Sequence, residues 1–214
     1  MSEKDYLKFE DAFVRYRDLL EISNCNKETD KEPFVEFSET CTVRKTVCEK
    51  LRKADEYIKQ QNPNLKLVVA EGWRSMEKQT KNFEVQLQRL APLFDNEIDL
   101  YEAAHTCAAV PSVAPHPTGG AVDAMIFDTT TNKRLDFGAE PFEYVTKLQY
   151  TFTPQIKKSS QAYKNRILLR TALLNQGFAP FDGEWWHFSY GDKEWAVYYG
   201  KDEYFYSQKQ SPDR

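Results

Sequence analysis

The stretch HPTGGAVDAMIFD, residues 116–128, joins a turn rich in proline and glycine to an apolar strand. Its Gly-Gly pair lets the backbone fold back tightly, because glycine adopts conformations that other residues avoid. Side chains alternate between the two faces of a strand, so we expect Asp123 to lie opposite Val122 and Ala124. A carboxylate buried in such a strand is costly unless a cation, a metal or several hydrogen-bond donors compensate it. The stretch therefore predicts a strand that carries a compensated carboxylate.

The residues around this strand predict helices and a few more strands. The apolar run at residues 65–70 predicts a strand that ends in EGWR, residues 71–74. The aromatic-rich residues 184–190 and 194–199 are also typical of strands. Apolar spacings of three and four predict helices at residues 6–20, from about residue 43 to 62, after the N-cap Ser75, over 97–109, and from Ser159 or Ser160 to Gly177. Helices first and strands later, without regular βαβ alternation, predict an α+β fold.

Composition excludes several classes of function. At 214 residues the chain is long enough for one domain with a substantial core, and its formal net charge of −4 offers no basic surface for nucleic acid. No stretch is long and apolar enough to span a bilayer, and the first residues lack the apolar run of a secretory signal. We therefore expect a soluble, cytoplasmic protein. The four cysteines show no CxxC spacing, which favours reduced and mostly buried thiols.

The chemistry of the chain is concentrated around two of its three histidines. His116 precedes Asp123 by seven positions, and the segment EWWH places Glu184 beside His187. Two neutral imidazoles and one carboxylate form a ligand set used by catalytic zinc, which keeps a fourth position for water. Zinc lowers the pKa of that water to about 7, and a carboxylate that is not a ligand can take its proton. The pattern predicts a zinc site with Glu184 as general base.

Amide hydrolysis also needs a group that stabilises the oxyanion, and one such donor is typically worth about 2.7–4 kcal/mol. Arg74, at the end of an apolar strand, is the candidate, although a surface ion pair is the alternative for this residue. A second interpretation of Glu184 is a solvated residue at the start of a strand. His105 lies near Cys107 among alanines typical of a packed helix, so a structural histidine is the favoured interpretation there.

These segments resemble the D-alanyl-D-alanine dipeptidases, within the zinc D,D-peptidases that include D,D-carboxypeptidases and the hedgehog signalling domain. The matching stretches follow the family order and cover roughly residues 65–190; they are residues 71–74, 116–123, 137–143, 165–170, 177–178 and 184–187. The resemblance implies that His116, Asp123 and His187 bind one Zn²⁺ per chain. It also implies that Glu184 is the base and that Arg74 stabilises the tetrahedral intermediate.

The resemblance further implies the substrate and the architecture. We expect a small dipeptide such as D-Ala-D-Ala, contacted by Glu143 and Trp186, and no nucleic-acid or membrane partner; the oligomeric state has no signal in the sequence. We expect a single domain with a central, mainly antiparallel sheet flanked by helices and a zinc site on the sheet. Its parts would be a helical N-terminal part at residues 1–64, a catalytic core at 65–200 and a flexible tail at 207–214.

Two departures from the family pattern keep other functions open. Ala114 stands where family members often carry serine, and the stretch at residues 138–143 is one residue longer and ends in Glu143 rather than aspartate. One alternative is a D,D-carboxypeptidase or endopeptidase that acts on cell-wall peptides. The other is a zinc-stabilised binding module without turnover, which the presence of both Glu184 and Arg74 disfavours.

Overall fold

The computed structural model describes residues 14–141 and 156–212. Its helices are α1 (Tyr16–Glu21), α2 (Lys45–Gln61), α3 (Met76–Leu90), α4 (Glu97–His105), α5 (Gln161–Leu174) and α6 (Lys193–Tyr198). Its strands are β1 (Asn24–Cys25), β2 (Phe34–Ser38), β3 (Cys41–Arg44), β4 (Leu65–Glu71), β5 (Val122–Asp128), β6 (Lys133–Arg134), β7 (Ala179–Pro180), β8 (His187–Ser189) and β9 (Glu203–Tyr204). Short 3-10 turns at Pro111–Val113 and His116–Thr118 lead into β5.

A five-stranded antiparallel sheet forms the centre of the fold. Its strands follow the order β4-β5-β8-β7, and β6 pairs with the far end of β5. The register places Asp123 of β5 opposite Glu71 of β4 on one side and opposite His187 of β8 on the other. The predicted α+β fold with a mainly antiparallel sheet is therefore confirmed, and the pairing brings three chemically important positions to one end of the sheet.

Two helices cover one face of this sheet because each buries an apolar stripe at helical spacing. In α2 the buried residues Val47, Leu51, Ala54 and Ile58 recur every three or four positions, as predicted. They pack in one core with residues of α5, β4 and β5. Every residue of β5 from Val122 to Ile126 is buried, so Asp123 enters the core rather than facing solvent as alternation alone would permit.

A second hydrophobic core joins α3, α4 and α1. Phe83 and Leu90 of α3 pack with Ala103 and Ala104 of α4 and with Leu19 of α1. Helix α3 begins as predicted, because the Ser75 side chain accepts a hydrogen bond from the Lys78 backbone amide. Ser160 caps α5 in the same way through the amide of Tyr163, and Gly177 follows that helix with a φ of 79°.

The structure corrects the predicted strand at residues 194–199. This segment lies in helix α6, because the side chain of Asp192 accepts a hydrogen bond from the Trp195 amide and caps a helical turn. The helix buries Glu194, Trp195 and Ala196, so its aromatic residues pack at helical rather than alternating spacing. In the segment 184–190, only His187–Ser189 form a strand.

The N-terminal part differs from the helical expectation. Strands β2 and β3 form an antiparallel hairpin at residues 34–44. The sequence of this segment has no strong alternation of apolar and polar residues that would predict it. Of the helix predicted at residues 6–20, residues 6–13 lie outside the described residues, and α1 covers Tyr16–Glu21. The tail predicted to be flexible is fixed at its start, because Ser207 and Lys209 both hydrogen-bond to Asp30.

Two other expectations about composition can be compared with the structure. All four cysteines are free thiols, and Cys41, Cys48 and Cys107 are buried, as predicted. Among the helices of the described ranges, none combines the length and the apolar character that crossing a membrane requires.

We expect Leu51→Ala to lower the free energy of unfolding by about 2–5 kcal/mol, because Leu51 is fully buried between α2 and the sheet. Leu20→Ala is the matched control: Leu20 is 50% exposed, so its truncation should cost less than about 0.5 kcal/mol. Urea unfolding of both variants measures the difference. Equal losses in the two variants would contradict the assignment of the core.

Candidate metal centre and active site

Three side chains that suit a metal ion converge at one end of the sheet. The ligand atoms of His116, Asp123 and His187 all lie within 4.8 Å of one another. His116 begins the 3-10 turn that Gly119 ends with a left-handed φ of 75°, Asp123 lies on β5, and His187 begins β8. All three residues are buried. The three predicted ligands therefore come from separate segments and meet through strand pairing.

The ring of His116 is oriented by a backbone carbonyl. Its Nδ1 lies 2.8 Å from the carbonyl oxygen of Gly72, and since a carbonyl only accepts, Nδ1 is the donor. The other nitrogen, Nε2, faces Asp123 Oδ1 at 3.4 Å. Gly72 is required in this position, because a Cβ there would meet the carbonyl oxygen of Thr42 at 2.5 Å.

The ring of His187 is held at both nitrogens by carboxylates. Its Nδ1 lies 3.1 Å from Asp123 Oδ1, and its Nε2 lies 3.2 Å from Glu194 Oε2. Burial by itself would lower the pKa of His187, but these two hydrogen bonds raise the pKa well above its usual value. Glu194 is a site residue that the sequence pattern does not predict. The sequence does contain one indication of this role: a glutamate within the aromatic-rich run that follows His187. A carboxylate buried in such a run needs a charged or hydrogen-bonding partner.

The carboxylate of Asp123 is left only partly satisfied. Burial would raise its pKa, but the imidazoles of His116 and His187 hold the pKa far below its usual range. Its Oδ1 faces both imidazoles, whereas the buried Oδ2 has no hydrogen-bond partner. An orphaned carboxylate oxygen beside two imidazoles fits a divalent cation, which such a donor set binds in proteins.

Arg74 extends into the same site between two carboxylates. Its Nη2 forms an ion pair with Glu71 and lies 3.9 Å from Asp123 Oδ2, and its Nη1 donates to Gln79 Oε1 at 2.9 Å. Burial would raise the pKa of Glu71, but Arg74 and Lys78 lower it to about 2. The Arg74 side chain is only 11% exposed, so the surface ion pair considered as an alternative does not describe it.

Glu184 lies in the turn that precedes β8, with its backbone carbonyl accepting from the His187 amide at 3.1 Å. Its side chain borders the cavity, and the surrounding protein raises its pKa to about 8. Burial raises this pKa by more than the charges of His187 and Arg74 lower it, and the charge of Asp123 raises it further. A carboxyl group whose pKa lies close to neutrality is suited to accept and return a proton.

A cavity of about 330 Å³ connects these groups. One side is formed by the candidate ligands together with Glu71, Arg74 and Glu184. The other side comes from α3 and α4, through residues that include Asn82, Gln86 and His105. The predicted catalytic and metal-binding residues therefore share one cavity.

Trp186, the other predicted site residue within the described ranges, lies away from this cavity. Trp186 is fully buried in the main core, edge-on to Trp185, and is not among the residues that line the cavity. Glu143 lies outside the described residues. His105 accepts a hydrogen bond from the Val110 amide through Nδ1 at 3.1 Å, as suits the structural role favoured for it.

Comparison with known proteins defines the class. The model of the Peptidase M15 family, described as D-ala-D-ala dipeptidase, matches residues 25–210. The chain belongs to this family, which confirms both the resemblance seen in the sequence and the predicted metallopeptidase class.

Individual relatives share shorter regions with this chain. A D-alanyl-D-alanine dipeptidase of Synechocystis sp. is 32% identical over 130 residues, covering 55% of this chain and 51% of that protein. A D-alanyl-D-alanine dipeptidase of Escherichia coli is 33% identical over 73 residues, covering 34% and 36%. The chain thus spans about half of the first relative and about a third of the second. A solved structure of the vancomycin resistance D,D-pentapeptidase VanY with Zn(II) gives a TM-score of 0.48 at 17% identity, over 86% of this chain and 96% of that one.

We expect His116→Ala to remove most of the zinc that the purified protein carries, because the substitution deletes one of three convergent ligands. His105→Gln, which alters the remaining histidine and keeps an acceptor for Val110, should leave the zinc content unchanged. Metal analysis of dialysed protein measures both. Equal zinc content in His116→Ala and the unsubstituted protein would refute the ligand assignment.

In protein stripped of metal by a chelator, we expect the free energy of unfolding to fall as the pH rises from 6 to 9. The pKa of Glu184 is raised to about 8 in the folded protein, so its stabilising protonation is present below the ordinary glutamate pKa and lost through pH 8. The loss should be smaller in Glu184→Gln, which cannot ionise. Urea titrations at several pH values test this, and parallel curves for the two proteins would contradict it.

Proposed function

We propose that this chain hydrolyses D-Ala-D-Ala, or a similar small dipeptide of D-amino acids, with a single zinc ion held by His116, Asp123 and His187. The observation that supports this most directly is the orphaned Oδ2 of Asp123, a residue that lines one cavity together with Arg74 and Glu184. Bound zinc would supply the Lewis-acid chemistry that makes water a nucleophile near neutral pH. The family description and the names of the two relatives support the substrate class.

The residues of the chain divide the remaining work. Glu184 takes a proton from the attacking water at its carboxylate and delivers it to the nitrogen of the departing amino acid. Arg74 stabilises the negative charge that develops on the carbonyl oxygen, and Glu71 together with Gln79 holds its guanidinium in place. Because the guanidinium is already oriented, little of its conformational freedom remains to be lost during the reaction.

The size of the cavity supports a small substrate. A volume of about 330 Å³ lies at the low end of the range of roughly 300–1,000 Å³ that is usual for small-molecule sites. We include Glu143 in the proposal as the group that binds the free amine of the dipeptide, because it ends the stretch where the resemblance implies an acidic anchor. Trp186 is fully buried in the main core and does not line the cavity, so it would act by packing rather than by contacting the substrate.

We expect the zinc-loaded protein to hydrolyse D-Ala-D-Ala, to lose this activity with a chelator and to regain it with added zinc. Glu184→Gln should lower kcat by about 10²–10⁴-fold, because it removes the base while keeping the size of the side chain. Glu56→Gln, an exposed substitution on α2, is the control and should retain full activity. Ninhydrin detection of released D-alanine measures all of these, and an unimpaired Glu184→Gln would refute the assigned base.

A substrate panel separates the proposal from its alternatives. D-Ala-D-Ala, its L,L and mixed isomers, and a cell-wall stem pentapeptide ending in D-Ala-D-Ala should be compared at equal concentrations. Preference for the free D,D-dipeptide supports the proposal, whereas faster release from the pentapeptide would identify a D,D-carboxypeptidase. One zinc per chain without cleavage of any peptide would identify a binding module.

A further inference from the structure

One carboxylate beside the candidate metal centre takes no part in the reaction outlined above. Glu194 is 7% exposed, and its Oε2 lies 3.2 Å from Nε2 of His187. We propose that Glu194 is a positioning residue that holds His187 in the ring orientation and tautomer that present Nδ1 to the metal. The inference rests on the zinc site of the proposed function.

The direction of this hydrogen bond defines the tautomer. A neutral imidazole has one nitrogen with a proton and one with a free lone pair. Both nitrogens of His187 face carboxylates, and a histidine that binds a metal must offer a lone pair, so Nδ1 can serve the ligand cluster when the proton lies on Nε2 and Glu194 accepts it. The lone pair of Nδ1 is then directed to the side of Asp123 Oδ1, 3.1 Å away, where the three ligand atoms converge. The opposite tautomer would direct the Nδ1 proton into the ligand cluster, where it would oppose the binding of a cation.

The arrangement is the counterpart of the one at His116. There the carbonyl oxygen of Gly72 binds Nδ1–H and leaves Nε2 free for the metal. At His187 the roles of the two nitrogens are exchanged, and a charged acceptor takes the place of the carbonyl. Each histidine is therefore fixed by an acceptor on the nitrogen that does not face the ligand cluster, as is usual for metal-binding histidines.

Glu194 is itself held rigidly enough to orient a ring. It lies in the first turn of α6, where Asp192 accepts from the Trp195 amide at 3.0 Å and fixes the start of the helix. The hydroxyl of Ser189 donates to the same Oε2 at 3.1 Å. Two residues of β8, His187 and Ser189, therefore bind one oxygen of Glu194 and compensate this buried carboxylate.

The effect should appear in metal affinity before it appears in stability. Loss of such an outer contact to a ligand histidine typically costs 10–100-fold in metal affinity or activity. We expect Glu194→Ala to weaken zinc binding by that factor. Glu194→Gln should retain much of the affinity, because its amide oxygen still accepts from Nε2–H. Glu102→Ala is the matched control: Glu102 is also a largely buried carboxylate and accepts from the Tyr16 amide and from Arg17, far along the chain.

Competition with a chromophoric chelator measures the zinc dissociation constant, and the visible absorption of the Co²⁺-substituted protein reports the geometry of the ligands independently of activity. Weaker binding and an altered Co²⁺ spectrum in Glu194→Ala, with partial recovery in Glu194→Gln and neither change in Glu102→Ala, support the inference. Affinity within twofold of the unsubstituted protein in Glu194→Ala overturns it. If Glu194→Ala does not fold, Ser189→Ala takes its place, with an expected loss of a few-fold and the same criterion for failure.

The two proposals fail in distinguishable ways. An unsubstituted protein that binds one zinc but cleaves no peptide would end the proposed function, and the comparison of dissociation constants would still decide the role of Glu194. Active protein whose zinc affinity is insensitive to Glu194 would end this inference alone. If the unsubstituted protein binds no zinc, both are overturned.

Discussion

The carboxylate of Asp123 lies inside an apolar strand, and the surrounding structure is arranged to compensate it. Placing one ionised carboxylate away from water costs several kcal/mol unless charged or hydrogen-bonding partners accompany it. The register of the central sheet supplies one of them, because β5 pairs with β8 so that Asp123 lies opposite His187. Arg74 lies in the segment that follows β4, and His116 lies in the segment that precedes β5. Both side chains approach the carboxylate of Asp123.

The charge around the cavity favours a cation. Its acidic lining residues within the described ranges are Glu71, Asp123, Glu184 and Glu194, and its basic residues other than histidine are Arg74 and Lys78. Both basic groups are paired with Glu71, so they offset the charge of that carboxylate first, and Arg74 reaches Asp123 only at 3.9 Å. Repulsion among the remaining carboxylates contributes to the raised pKa of Glu184. A divalent ion held by the two imidazoles and Asp123 would relieve that repulsion.

Features specified by neighbouring residues could be predicted from the sequence. The caps at Ser75 and Ser160, the buried stripe of α2 and the strand that carries Asp123 depend on local chemistry, and the ligand candidates stood out because histidine is scarce. The β2–β3 hairpin depends on pairing and has no strong local pattern. Helix α6 was mistaken for a strand because its aromatic residues outweighed the cap at Asp192. Glu194 acquires a role only once α6 packs beside β8.

The structure around each histidine explains why His116 and His187 present different ring nitrogens to the ligand cluster. His116 emerges from a turn beside the backbone of Gly72, where a carbonyl is available to bind Nδ1–H. His187 begins a paired strand whose own carbonyl groups serve the sheet, so its outer nitrogen meets a side chain instead. A carboxylate there strengthens the basicity of the imidazole more than a carbonyl does, because the acceptor carries a full charge. The fold thus prepares one ligand by backbone geometry and the other by a buried charge, and only the second can be altered by a single side-chain substitution.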